Sequence, residues 1–100
     1  MTDQERDLVV FKRDKFICQY CGFDGTAFRA WAFLEVDHFK PKRLDQSGDT
    51  HEFSNLVTSC CLCNRMKGGT EFKDVADASE KLRIMWDQME TYWEKNVKSK

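Results

Sequence analysis

The sequence has little of several things that would settle its class at once. No apolar run is long enough to cross a bilayer, so a membrane-spanning chain is not expected. Charge of one sign is also missing. Residues 1–70 carry ten Lys/Arg against ten Asp/Glu and residues 71–100 carry six against seven, which excludes a uniformly basic nucleic-acid binder. There is no internal repeat and no low-complexity segment, and the only proline is Pro41. No stretch reads as a secretory signal, and the five cysteines are an odd number, so a disulfide framework is the weaker reading and a reducing, cytoplasmic setting the expected one. One hundred residues read as one small domain over 1–100, short of the size at which a core stabilises itself comfortably. An added staple is expected.

Cysteine supplies that staple. Cys18 and Cys21, and Cys60 and Cys63, are two pairs with two residues between partners, the spacing of metal knuckles. Four thiolates in that pattern match a closed tetrahedral structural Zn²⁺ site with no position left open for substrate. The interval between the pairs has room for a strand, a loop and a second strand, so the zinc would clamp the base of a hairpin. Cys61 is the spare thiol and reads as a small, half-buried apolar side chain.

Local signals place the other elements. Thr2-Asp-Gln-Glu5 fits a capping box opening a helix from about Asp3 to Arg13, with Leu8 and Phe11 facing inward. Phe16-Ile17 reads as a short strand leading into the first knuckle, and Gly22 suits the positive φ that a knuckle turn requires. Phe28 to His38, rich in aromatic and branched residues, reads as a strand that Pro41 stops. Leu56-Val57-Thr58 is the returning strand, and a short helix carrying Cys63 and Asn64 ends at Gly68-Gly69. A long helix over about 74–97, capped by Asp74 or Asp77, carries the apolar stripe Leu82, Met85, Met89, Trp93 and Val97. Apolar area on that helix could be left over for a second copy or another partner.

Between the knuckles stand Asp37-His38, Asn55 and, directly after Cys63, Asn64. This order of Asp-His, a middle Asn and a closing Asn between two Cys-x-x-Cys pairs resembles the HNH endonuclease family over roughly residues 10–69. The resemblance implies an α+β fold: a ββα-metal, treble-clef-like core with a structural zinc, flanked here by an N-terminal and a long C-terminal helix. It also implies a phosphodiester hydrolase. Asp37 and the Asn64 carbonyl oxygen are hard ligands suited to Mg²⁺ or Mn²⁺. His38 is the expected general base, and Asn55 takes the family's role of fixing the loop and the histidine. The family's last position holds Asn64 here rather than His, a variant that favours hard cations over catalytic zinc. Strict strand alternation would put Asp37 and His38 on opposite faces, so either the ion sits at the strand end or the strand is distorted there.

Lys40, Lys42 and Arg43 after His38, and Arg65 and Lys67 after Cys63, are the expected contacts to a phosphate backbone, with Lys12, Arg13 and Lys15 a third basic patch. His51 matches no motif position. Double-stranded DNA is the expected partner. One base and one ion per chain favour a monomer that nicks one strand with low sequence preference, whereas a dimer built on the long helix would place two sites on opposite strands. The competing class is a non-catalytic zinc-stabilised module that binds nucleic acid or protein. It needs no Asp-His-Asn-Asn set.

Overall fold

A computed structural model describes residues 1–41 and 52–98. The first helix, α1 (Asp3–Arg13), starts where its capping box dictates: the Thr2 hydroxyl accepts from the Glu5 amide at 3.1 Å and the Glu5 carboxylate accepts from the Thr2 amide at 3.0 Å. Val10 and Phe11 are its buried residues. Leu8, expected to face inward, is instead exposed and lines a shallow groove with Trp31 and Leu34. The contact with the sheet is made two positions later along the helix, by Val10, so Leu8 is turned to the rim.

The end of α1 is fastened to the sheet. Arg13 donates to the carbonyls of Phe53 and Leu56, and Asp14 accepts from the Thr58 amide at 2.9 Å. Lys15 and Phe16 then adopt left-handed φ of 58° and 60° and reverse the chain. The expected strand at Phe16-Ile17 is therefore absent, because left-handed backbone cannot continue an extended run, and only an isolated bridge from Ile17 to Asp24 forms. Gly22, at φ 81°, closes the knuckle as expected.

Strand β1 covers Leu34–His38 and β2 covers Leu56–Cys60; they pair antiparallel from Leu34 opposite Cys60 to His38 opposite Leu56. The longer strand expected from Phe28 is corrected. Phe28–Trp31 forms one helical turn, α2, because β2 ends at Cys60 and offers no ladder partner beyond Leu34, while Ala30 and Ala32 favour helix. Every residue of β2 is buried, since α1 and α3 (Cys61–Lys67) both pack on the two-stranded sheet. A short 3₁₀ turn, Phe53–Asn55, leads into β2.

Helix α3 ends at Gly68, whose φ of 53° suits glycine. Helix α4 (Val75–Trp93) is capped by Asp74, whose carboxylate accepts from the Asp77 amide at 2.8 Å, which decides between the two candidate caps. Ala78 and Leu82 pack against Tyr20, Val57 and the buried cysteines. Beyond them Met85, Met89, Trp93 and Val97 are exposed, so the apolar stripe outlasts the body it packs on. A π-helical turn, Glu94–Lys98, continues the helix, and the expected frayed end at residues 99–100 lies outside the described residues. The arrangement is the α+β, ββα fold with a four-cysteine site that the motifs implied.

Candidate functional site

The knuckle, the end of β2 and the first turn of α3 bring Cys18, Cys21, Cys60 and Cys63 together, with all four sulfur atoms within 4.8 Å of one another. A tetrahedron with Zn–S bonds of about 2.3 Å has sulfur–sulfur edges of about 3.8 Å. The Cys21 and Cys60 sulfurs stand 3.8 Å apart, the length of such an edge. Two donors support the thiolates: the Cys63 amide to Cys60 Sγ at 3.4 Å, and the Trp86 indole N–H to Cys63 Sγ at 3.2 Å. Hydrogen bonds from Cys60 and Cys63 push the Cys18 thiol down, while their bonds to Cys18 push Cys60 and Cys63 up. Zn²⁺ held by the four thiolates would balance their charge and close the loop between the knuckles. Cys61 stays outside the cluster, half-buried, as expected of the spare thiol.

On the other side of β1 lies a seam with α3. The alternation of a strand gives Glu35 and Asp37 the same face, and both are met by residues of the short helix. Asn64 donates from Nδ2 to Glu35 Oε1 at 2.7 Å. Lys67, one turn on, points its ammonium to Asp37 Oδ2 at 3.3 Å. The same oxygen accepts from the Tyr20 hydroxyl at 2.6 Å. Asp37 is buried, and burial pushes its carboxyl above the ordinary range against the opposing hydrogen bond from Tyr20 and charge of Lys67. Burial, followed by the Asp37 charge, pushes the Tyr20 phenol well up, so it remains a donor.

The reading of Lys67 as a phosphate contact is corrected by this geometry. Its side chain is fully buried, paired with Asp37, 3.5 Å from the His38 carbonyl oxygen and 5.5 Å from the centre of the Phe39 ring. A buried carboxylate beside it draws the ammonium inward. Arg65, by contrast, is on the exposed face of α3, and Lys40 is exposed after β1. Lys42 and Arg43, with His51, lie outside the described residues.

His38 closes β1 half-buried, and its pairing with Leu56 is regular. The strand is therefore not distorted at Asp37 and His38. Asn55 faces this end across the sheet. Its Oδ1 accepts from the Lys40 amide at 2.8 Å, its Nδ2 donates to the Lys40 carbonyl at 3.2 Å, and its own carbonyl accepts from the Phe39 amide at 2.8 Å. Three bonds thereby hold the two residues that follow His38. Sequence reasoning missed Tyr20, Glu35 and Trp86. Only Glu35 had a signal, standing two residues before Asp37 and hence on its face.

Comparison with known proteins agrees with this layout. The family model described as HNH endonuclease matches residues 18–70, just over half of the chain. The chain is also 33% identical over 54 residues to the type 4 apparatus protein DotN of Legionella pneumophila subsp. pneumophila, an alignment covering 54% of this chain and 21% of that protein. The chain thus corresponds to about a fifth of that relative's length. No solved structure matches. With the matched segment running from the first knuckle cysteine past the end of α3, the chain belongs to the HNH endonuclease family.

Proposed function

We propose that this protein is a divalent-metal-dependent endonuclease that hydrolyses DNA phosphodiester bonds and nicks one strand with low sequence preference. The observation that supports the reading is the β1–α3 seam: on one face of β1, Glu35 meets Asn64 and Asp37, next to His38, meets Lys67. The oxygens of Asp37 and Asn64 would hold Mg²⁺ or Mn²⁺, which supplies Lewis-acid stabilisation of the charge that builds on the phosphate and the leaving oxygen. A neutral imidazole offers a basic ring nitrogen, so His38 would take the proton of the attacking water as its oxygen bonds to phosphorus and the bond to the leaving oxygen breaks.

Asn55 acts through position, holding the backbone that follows His38. Glu35 occupies the amide end of Asn64 and so leaves the Asn64 carbonyl oxygen for the ion. Lys40 and Arg65 would meet backbone phosphates, joined by Lys42 and Arg43. Each chain supplies one base and one ion site, which accounts for a single break per engagement by a monomer. Among the described residues no helix is long and apolar enough to cross a membrane. A cytoplasmic location goes with four reduced thiols serving as zinc ligands.

A second reading is favoured by one observation: Tyr20 and Lys67 already satisfy Asp37 Oδ2 inside the protein. A zinc-stabilised module that binds nucleic acid or protein without cutting would leave them so, and the likeness to an apparatus protein fits such a role. The two readings separate on supercoiled plasmid incubated with EDTA, Mg²⁺ or Mn²⁺. The nuclease gives open-circular product only with the divalent ions. Binding without any nicking in all three selects the module.

A further inference from the structure

Asp37 has two carboxylate oxygens, and the fold commits one of them. Oδ2 receives the Tyr20 hydroxyl and the Lys67 ammonium, both buried, which leaves Oδ1 as the oxygen to address an ion. Tyr20 is itself held unusually firmly. It sits between knuckle residues Cys18 and Cys21, its carbonyl accepts from the Ser79 hydroxyl of α4 at 2.6 Å, and the neighbouring Gln19 amide donates to the Thr58 carbonyl of β2 at 2.9 Å. The zinc ligands, β2 and α4 therefore all fix the ring that orients the carboxylate.

We infer that Tyr20 is a positioning residue for the ion site: its hydroxyl locks Asp37 into one orientation, so that the zinc knuckle and the binding of a divalent ion at Asp37 are mechanically linked. The inference rests on the proposed role of Asp37 as an ion ligand and adds what sets its geometry. An unlocked Asp37 could rotate about its terminal torsion, and Lys67 alone, a point charge at 3.3 Å, does not fix that rotation as a 2.6 Å hydrogen bond does. Hydrogen-bonded partners of ligating groups typically change metal affinity by about ten- to a hundredfold when removed.

The test is Tyr20→Phe, which keeps the ring and removes the hydroxyl, in zinc-loaded full-length protein. Mn²⁺ affinity is read by titration of the free-ion electron-paramagnetic-resonance signal, with plasmid nicking followed in parallel. The expected result is unchanged zinc stoichiometry, Mn²⁺ binding weakened by about tenfold or more, and a nicking rate that recovers toward wild type as Mn²⁺ is raised. On an Asp37→Asn background the same change should weaken Mn²⁺ binding no further, since the locked group is gone. Equal Mn²⁺ affinity in Tyr20→Phe and wild type, an equal loss on the Asp37→Asn background, or loss of zinc from Tyr20→Phe would each overturn the assignment. Weakened Mn²⁺ binding in protein that never nicks DNA would uphold it while overturning the nuclease reading.

Discussion

Asn55 offers the sharpest separation of positioning from chemistry. Changing it to Ala deletes the two side-chain hydrogen bonds to the Lys40 backbone, at 2.8 Å and 3.2 Å, and leaves the backbone bond from Phe39 in place. Each neutral hydrogen bond contributes about 0.5–1.5 kcal/mol net, and these are exposed, so a total loss of about 1–2 kcal/mol is expected. For a chain of this size a loss of that order lowers the melting temperature by about 5–10 °C. Thermal unfolding of zinc-loaded protein by circular dichroism measures it, with zinc content checked on the same sample. Nicking should fall more than the stability change accounts for at a temperature where both proteins are folded, because the residues after His38 lose their anchor. Asn55→Asp, which keeps the acceptor for the Lys40 amide and loses the donor, should fall between. A melting point within about 1 °C of wild type together with an unchanged nicking rate would show that Asn55 holds neither the fold nor the site.

Removal of metal should unfold the protein: Cys63→Ser, or a strong chelator, is expected to abolish the cooperative transition, whereas Cys61→Ser should bind one Zn²⁺ per chain and melt as wild type does. A folded, zinc-free wild type would contradict this. Asp14 sets part of the acid sensitivity. Burial alone would raise its carboxyl, but Arg13 and the Thr58 amide outweigh that and hold it below the ordinary value of 3.8. Its contribution is then present above that value and is lost as pH falls through the lowered one, so the stability gap between wild type and Asp14→Asn should shrink on acidification below about pH 4. Chemical denaturation at matched zinc loading across that range measures the gap.

What could be read in the sequence was what short-range chemistry decides. The Thr2–Glu5 capping box, the Gly22 and Gly68 turns and the paired knuckle spacings each involve residues a few positions apart, and each forms as read. The failures are tertiary. Phe28–Trp31 has strand-like composition, but a strand needs a ladder partner, and the chain had turned into α3 by Cys61. Lys67 sits one turn from Asn64 and looked like a surface cation; its burial depends on Asp37 and Phe39 meeting it from the far side of the hairpin. Tyr20 carried no signal beyond its place inside a knuckle, since its partner is 17 residues away. The motif thus marked which residues gather at the site, and packing decided which of them face inward.

In the proposed reaction His38 takes a proton from water during metal-dependent phosphodiester hydrolysis. The most direct measurement compares His38→Ala with wild type on supercoiled plasmid at saturating Mn²⁺, with zinc content and melting temperature determined on both. Matched zinc content and similar unfolding are expected, with open-circular product from wild type and a loss of at least about a hundredfold in the variant, the lower end of what a general base contributes. Nicking by His38→Ala at the wild-type rate would contradict it.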